Sequence, residues 1–214
     1  MSLSGAAGLS WASPVTLEGS RVILKPLSET HADELAEAAS DGGLPKLWYT
    51  RVPSPSNMRT SIRQRLELQQ AGEWLPFAAI DRSTNLAVGM TSYLHIVPNV
   101  RRLEIGGTWY QVKAQRTGIN VESKWLLLRQ AFEEWNCIAV EFRTHRFNFQ
   151  SQRAIEALGA RLDGVLRNHC DVFGVVKDTC VYSIISSEWP QVKHHLEWRM
   201  SRYPLQRAEW MAVR

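Results

Sequence analysis

The segment from Arg101 to Trp135 constrains the fold more than any other part of the chain, because it contains a strand pattern, a basic turn and a helix pattern in succession. β-branched and aromatic residues predict a strand over Arg102–Tyr110, which Gly106 and Gly107 interrupt as a bulge or a close backbone approach would. After Gly118, apolar residues at helical spacing predict one buried stripe, formed by Val121, Trp125, Leu128, Phe132 and Trp135. The segment therefore predicts a strand–turn–helix unit.

The turn of this unit has the properties of an anion site. Residues 115–120 lie where the first backbone N–H groups of the helix have no partner within the helix. The positive end of the helix dipole and the side chains of Lys113 and Arg116 add positive potential there. Gly118 lets a phosphate approach the backbone, because no Cβ stands in the way. We therefore predict that the turn binds a pyrophosphate.

The flanking sequence predicts further strands and helices on both sides of this unit. Before it, the patterns predict a strand pair over Val15–Leu24 and two single strands, Trp74–Asp81 and Leu86–Val97. Between the pair and these strands they predict two helices, the first capped by Ser28 and the second by Ser56 or Asn57. After it they predict a strand at Ile138–Arg143, a short helix capped by Asn148, a strand pair over 161–171 and 175–185, and a last helix capped by Ser187. This order predicts one α/β domain over residues 14–186, with a flexible tail at 1–13 and a C-terminal helix and tail, 187–214, packed on the domain.

Composition indicates an ordinary soluble protein. The 214 residues, 44% hydrophobic and 21% charged, are enough for one full core. No run approaches the roughly 18 apolar residues of a membrane span, and the N-terminus lacks a secretory signal. The three cysteines have neither metal-ligand spacing nor the even count of a disulfide framework, so we expect a reduced, cytoplasmic setting and no metal. The net charge of +4 could suit nucleic acid, but acidic residues are interspersed and no recognition motif is present, so we expect an enzyme with a polyanionic cofactor.

The order of elements and the residues of two segments resemble the GCN5-related N-acetyltransferase (GNAT) family, and within it the RimJ/RimL-like branch. The family's cofactor signature, Gln/Arg-x-x-Gly-x-Gly/Ala, here reads Gln115-Arg116-Thr117-Gly118-Ile119-Asn120. Asn120 replaces the final small residue, as in the Thr-Gly-x-Asn variant of that branch. The second segment, NFQSQRAIEALGA over residues 148–160, is similar to the family's Asn-x-x-Ser helix. The likeness covers roughly Val15 to Val192.

This resemblance implies a mixed, mostly antiparallel α/β sheet that is flanked by helices and splayed around acetyl-CoA. The strand ending at Tyr110 and the strand Ile138–Arg143 would part, and the pantetheine would pair with the freed backbone. Asn148 would cap its helix and also contact the pantetheine, while Arg153 would reach the CoA phosphates or stay solvated. The implied cofactor-binding residues are Gly107, Thr108, Trp109, Tyr110, Gln115, Arg116, Thr117, Gly118, Ile119, Asn120, Asn148 and Arg153. No metal is implied.

Acetyl transfer to an amine requires a neutral amine, a donor to the carbonyl oxygen and a proton for the departing thiolate. Glu104 is predicted to accept or relay the amine proton; the alternative is an exposed strand residue paired with Arg101 or Arg102. Ser151, one turn into the Asn148 helix, is predicted to donate toward the thiolate; the alternative is a helix-surface serine. Roles for Tyr182, His145 and His169 stay open.

Trp48 and Tyr49 occupy the region that covers the acceptor site in the family, and we predict that they contact the substrate; the alternative is that they seal the edge of the core. The predicted function is transfer of an acetyl group from acetyl-CoA to a primary amine, on a small molecule or a peptide or protein N-terminus, by direct attack in a ternary complex. The alternative is a non-catalytic acyl-CoA-binding module. We expect no nucleic-acid or membrane partner, and a monomer or homodimer.

Overall fold

The computed structural model describes residues 11–172 and 174–203, and its strands form one sheet. The strands are β1 (Leu17–Glu18), β2 (Val22–Pro26), β3 (Leu75–Asp81), β4 (Leu86–Val97), β5 (Arg102–Tyr110), β6 (Ala139–His145), β7 (Arg161–Val172) and β8 (Val175–Ile185). Their order is β1-β2-β3-β4-β5-β6-β8-β7. Only β5 and β6 run parallel; every other neighbouring pair is antiparallel. The predicted mixed, mostly antiparallel sheet is confirmed.

Helices flank the sheet. They are α1 (Ala32–Ser40), α2 (Met58–Gln70), α3 (Ile119–Arg129, continued by a π-helical turn, Gln130–Glu134), α4 (Phe149–Glu156) and α5 (Trp189–Ser201). Asn148 caps α4 as predicted, because its side chain accepts a hydrogen bond from the Ser151 N–H. The predicted cap of the last helix is wrong: Glu188, not Ser187, holds the N-cap position of α5. Within the described residues, none of the helices has the length and apolar character needed to cross a membrane.

Two hydrophobic cores lie on opposite faces of the sheet. On the first, which we call the α1 face, Leu35 of α1 and Ile62 of α2 cluster with strand residues that include Met90. On the second, the α3 face, Leu127 of α3 and Leu196 of α5 cluster with residues that include Leu24, Phe77, Tyr93 and Ile105, and Ile155 places α4 on this face too. Alternate residues of each strand point to opposite faces. The sheet therefore separates α1 and α2 from the other helices.

Helix α3 is buried on more than the one stripe that its sequence predicts. Its buried residues include Glu122, Ser123 and Lys124 as well as the apolar positions. Residues 20–22 cover Glu122, Lys124 faces the sheet, and α5 also packs on the helix. Trp189 of α5 stacks on Phe132 at a ring separation of 5.4 Å. The described end of the predicted N-terminal tail also packs here, since the Trp11 indole N–H donates to the Trp135 carbonyl at 3.1 Å. Residues 1–10 and 204–214, with Trp210, lie outside the described residues.

Strands β5 and β6 pair over only three residues and then part. The paired residues are Arg102, Leu103 and Glu104 with Ala139, Val140 and Glu141. Beyond this point β6 stays with β8 as far as the His145–Thr179 pair, and β5 stays with β4 as far as the Tyr110–Gly89 pair. The β6-facing edge of residues 105–110 consequently has no partner strand among the described residues. This opening is the predicted splay, and we call it the wedge.

Candidate active site

The turn that follows β5 presents backbone donors. Gly118 is the N-cap of α3 with φ of 94°, and Arg116 is also left-handed, with φ of 63°. Left-handed residues within a turn bring successive N–H groups into one concave surface that suits anions. Among the described residues, no protein acceptor is hydrogen-bonded to the N–H groups of residues 116–120. The geometry therefore agrees with the predicted anion site.

Side chains of the same turn hold its shape. The Thr117 hydroxyl donates to the Ala114 carbonyl at 2.7 Å, and the Gln115 amide donates to the Tyr110 carbonyl at 3.1 Å. The second bond ties the turn to the last residue of β5, beside the wedge. The Asn120 side-chain oxygen is buried and has no hydrogen-bond partner within the described part of the chain. Such an unsatisfied buried group is expected to find a partner in a ligand or a water molecule.

Gly118 is required by packing as well as by conformation. A Cβ added there would lie 3.0 Å from Tyr203 Cγ and 3.2 Å from Arg21 Cδ. Arg21 is held in place because its guanidinium donates to the carbonyls of Met200 and Tyr203 at the end of α5. From the sequence alone, the close approach of a phosphate is the only reason for a glycine here. The structure adds this packing and places the Arg21 cation beside the turn.

Two bulges interrupt the β4–β5 pairing on either side of Glu104. In the first, Gly107 and Thr108 of β5 oppose Thr91 alone, and Gly107 has φ of 59°. This confirms the irregularity predicted at Gly106-Gly107. In the second, two residues of β4 oppose one of β5, and the first of them, His95, has φ of 45°. Bulges are frequent beside active sites because they redirect side chains, and a left-handed non-glycine residue is uncommon.

Glu104 is buried in a cluster of basic groups. It is only 5% exposed, and its Oε2 lies 2.9 Å from His95 Nδ1 and 3.4 Å from Arg143 Nε. The Arg143 contact is an ion pair without hydrogen-bond geometry, since Arg143 Nε has no hydrogen-bond partner in the described structure. Arg102 pairs with Glu141 instead. The alternative of an exposed Glu104 bound to Arg101 or Arg102 is therefore wrong.

The hydrogen bond with Glu104 raises the pKa of His95, and burial of the ring opposes that rise. We therefore expect NMR titration to show a His95 pKa above the ordinary value of about 6.5. Glu104→Gln removes the negative partner and should return the pKa toward that value. The His95→Gln spectrum identifies the resonance among the six histidines. An identical His95 titration in the wild type and in Glu104→Gln would contradict the pairing.

Trp48 and Tyr49 contact the same face of the sheet on which Glu104 lies. Glu141, Arg143 and His145 alternate along β6 and therefore share the α1 face. The His145 ring lies 5.0 Å from that of Trp48 and 6.4 Å from that of Tyr49. Trp48 is 51% exposed, so it does not simply seal the core. Burial lowers the pKa of His145, which favours a neutral ring in this aromatic cluster.

The predicted residues of α4 lie on the other face. The Ser151 N–H donates to Asn148 Oδ1 at 3.0 Å, and Arg153 is exposed. The Tyr182 hydroxyl donates to Glu156 of α4 at 3.1 Å, and burial raises its pKa to about 12. Asn148 and Ser151 thus lie on the α3 side and Glu104 on the α1 side. The wedge between β5 and β6 is an opening in the sheet between these two sets.

Comparison with known proteins identifies the family. The family model of the acetyltransferase (GNAT) domain matches residues 21–161. The chain belongs to the GNAT acetyltransferase family. A putative acetyltransferase from T. thermophilus is 33% identical, with 88% of this chain and 98% of that chain covered and a TM-score of 0.77.

More distant GNAT structures share the fold. A GCN5-related N-acetyltransferase from Brucella melitensis is 26% identical, with 92% of this chain and 90% of that chain covered and a TM-score of 0.82. Mycobacterium smegmatis RimJ, solved in complex with CoA-disulfide, is 18% identical, with 87% and 95% coverage and a TM-score of 0.74. Among proteins of curated function, none matches this sequence significantly.

Three residues of this GNAT domain lie at the candidate site in the structure but have no assigned role from the sequence alone: His145, His95 and Arg21. His145 could have been found only if the predicted strand, Ile138–Arg143, had been extended by two residues, as β6 is in the structure, because alternation then gives it the face of Arg143. His95 could not, since a bulge sets the direction of its side chain. Arg21 could not either, because its place beside Gly118 depends on the docking of α5. Within the described residues, no group of three or more His, Cys, Asp or Glu side chains could hold a metal ion.

Proposed function

We propose that this GNAT protein transfers an acetyl group from acetyl-CoA to a primary amine. The observation that carries the proposal is the wedge followed at once by a donor turn. Residues 105–110 of β5 leave one backbone edge without a strand partner in the described structure, and the turn then presents unpaired N–H groups around Arg116 and Gly118. An extended amide-bearing arm that ends in a pyrophosphate fits both features.

Acetyl-CoA fits these residues and supplies the acetyl group as a thioester. The backbone of Gly107, Thr108, Trp109 and Tyr110 would pair with the pantetheine amides. The N–H groups of residues 116–120, with the cations of Arg116 and Arg21, would hold the pyrophosphate. The Asn148 oxygen serves the helix cap, and the amide nitrogen, for which the described residues provide no hydrogen bond, would donate to the pantetheine. Arg153 is exposed and would reach the phosphates from α4.

Glu104 is proposed to accept the proton that the attacking amine loses. Arg143 Nε lies 3.4 Å from Glu104 Oε2 and places a cation beside the carboxyl group. His95 is hydrogen-bonded to Glu104 and its side chain is 63% exposed, so it can pass the proton to solvent. Ser151, at the beginning of α4, is proposed to donate toward the departing thiolate. The amine then attacks directly, without an acyl-enzyme.

The acceptor is proposed to enter on the α1 face, between the acid cluster of Glu104 and the aromatic cluster of Trp48 and Tyr49. Peptide N-terminal amines are the first class to test, since structures of similar fold include RimL, a ribosomal L7/L12 alpha-N-protein acetyltransferase. The experiment is a screen of amines with release of free CoA as the readout, and it should include N-terminal peptides, lysine peptides and polyamines. Acetyl-CoA binding without CoA release on any amine would instead favour a binding module.

Trp48→Ala is expected to raise the KM for the acceptor about ten-fold, because burial of one aromatic ring contributes roughly 1.5–3 kcal/mol. The dissociation constant of acetyl-CoA, measured by calorimetry, should stay within about two-fold, since Trp48 contacts the α1 face only. Trp198→Ala is the matched control: Trp198 is 52% exposed against 51% for Trp48 and lies on α5. Equal acceptor KM values in the two variants would remove Trp48 from the acceptor site.

A further inference from the structure

Lys124 of α3 is a buried lysine that donates to two hydroxyls and, among the described residues, to no carboxylate. It is 6% exposed, and its ammonium group donates to Thr108 Oγ1 at 2.6 Å and to Thr91 Oγ1 at 3.1 Å. The two hydroxyl oxygens lie 2.8 Å apart. Lysine is almost never buried unless it is paired with an acid. Burial of an ammonium group that only hydroxyls bind destabilises the folded state, because the charge loses its hydration. Such a residue is therefore a candidate for a functional role.

The two threonines are the residues that form the bulge next to the wedge. Thr91 is the single residue of β4, and Thr108 with Gly107 is the pair of β5 that opposes it. The Thr108 hydroxyl also reaches the Gly106 carbonyl at 3.4 Å. Lys124 thus ties both strands of the bulge to α3. It does so on the stretch of β5 that has lost β6 as a partner.

The charge of Lys124 is not balanced by its described neighbours. Burial lowers its pKa to about 7, and no charged group contributes to the shift. On the same face β4 and β5 present Tyr93 and Tyr110, whose hydroxyls stay neutral because burial raises their pKa values. On α3 itself, Glu122 accepts hydrogen bonds from the N–H groups of residues 20–22 instead. Glu104 lies on the opposite face. Lys124 can therefore change its protonation state near neutral pH.

Protonation sets the direction of the hydrogen bonds in the bulge. A charged Lys124 donates to both threonines, which leaves the Thr108 hydroxyl proton for the Gly106 carbonyl. A neutral amine has a lone pair that can accept the Thr108 proton, and the Gly106 carbonyl then loses its bond. The charged form consequently holds the backbone of residues 106–108 more firmly.

We propose that Lys124 is a positioning residue for acetyl-CoA, whose charged amino group locks the β5 bulge so that the open strand edge is shaped for the pantetheine. The inference rests on the proposed function, since it concerns the same cofactor edge. It assigns a role to a residue of α3 that lies outside the cofactor turn. A purely structural lysine would stabilise the fold without any effect on cofactor affinity.

The test is the dissociation constant of acetyl-CoA, measured by calorimetry for the wild type, Lys124→Met and the control Lys25→Met, which removes an exposed lysine of β2. We expect Lys124→Met to weaken binding about ten-fold or more at pH 6.5, the effect of losing roughly one charged hydrogen bond. Its thermal midpoint should be unchanged or higher, because a buried unpaired charge has been replaced by an apolar chain of similar length. Lys25→Met should bind as the wild type does.

The pH profile separates positioning from packing. The wild-type and Lys25→Met dissociation constants should rise between pH 6 and 8.5 as Lys124 loses its proton, over and above the titration of the ligand. The dissociation constant of Lys124→Met should change with pH only as far as the ligand itself titrates, without this additional rise. Identical profiles and identical affinities in all three proteins would overturn the inference.

Thr108→Val gives an independent test, because it removes the hydroxyl and keeps the shape. It should weaken acetyl-CoA binding as Lys124→Met does, and the double variant should be no weaker than the worse single variant. If Lys124→Met does not fold, unchanged binding in Thr108→Val still overturns the inference. If the wild type does not bind acetyl-CoA, the proposed function itself is contradicted. If the wild type binds acetyl-CoA and Thr108→Val, together with Lys124→Met where it folds, binds it equally well, only the inference about Lys124 is contradicted.

Discussion

Glu104→Gln is expected to lower kcat/KM for acetyl transfer by about 10²–10⁴, the usual contribution of a general base. The amide keeps the size of the side chain but cannot take a proton from the amine. Glu104 lies on the α1 face and the cofactor turn follows the far end of β5, so the acetyl-CoA dissociation constant should change by less than about three-fold. Steady-state rates of CoA release and calorimetric titration with acetyl-CoA check the two expectations separately.

Glu141→Gln is the matched control for this result. Glu141 lies directly beside Glu104 in the β5–β6 pairing and on the same face, and it binds Arg102 and Arg143. Its loss should change kcat/KM by no more than about three-fold, because Glu141 binds two arginines and is not placed to take the amine proton, and partly exposed ion pairs contribute only about 0–1 kcal/mol. An unchanged rate in Glu104→Gln would remove Glu104 from the mechanism. Equal losses in both variants would show that the charge of the cluster, and not one base, matters.

Gly118→Ala is expected to destabilise the protein and to weaken acetyl-CoA binding. Left-handed backbone costs alanine about 1–2 kcal/mol, and the crowding of the new Cβ against Tyr203 and Arg21 adds about 1–3 kcal/mol. If the turn shifts to relieve these contacts, its N–H groups no longer point toward the pyrophosphate and their hydrogen bonds to it are weakened or lost. The loss of one or two charge-assisted hydrogen bonds, about 1.5–3 kcal/mol each, should raise the dissociation constant ten- to a hundred-fold or more.

Gly72→Ala measures the conformational cost alone. Gly72 has φ of 76°, and a Cβ added there would meet no atom within 4 Å. Its unfolding free energy should fall by about 1–2 kcal/mol while acetyl-CoA affinity stays as in the wild type. The two variants are compared by denaturant unfolding and calorimetry. If Gly118→Ala lost no more stability than Gly72→Ala and bound acetyl-CoA normally, the turn would have no part in cofactor binding.

Local sequence patterns were enough to predict most elements of this fold. The strand over Arg102–Tyr110 has the predicted bounds, and the predicted helix after Gly118 begins at Ile119, because β-branched runs and glycine punctuation act over a few residues. The pattern also predicted the turn residues 115–120 and the cap by Asn148, since both depend on neighbours within four positions. The extent of α3 burial was not predicted, because it depends on distant segments. Residues 20–22 and the strand residues Thr91 and Thr108 contact its buried polar side chains, and α5, which also packs on it, begins at Trp189, 60 residues after the end of α3.

Tertiary structure decided the partners of each polar group at the site. Glu104 could be predicted as a candidate residue because of its place on the strand that leads to the turn. Its contacts with His95 and Arg143 could not, because they depend on a bulge in β4 and on the parallel pairing of β5 with β6. The other bulge of the β4–β5 pairing, at Gly107 and Thr108, brings Thr91 and Thr108 beneath Lys124. Backbone propensity and hydrophobic periodicity are local properties of a chain, so they can be recognised directly in the sequence. Register, bulges and the docking of distant helices depend on packing the whole core, and only the folded chain shows which side chains they bring together.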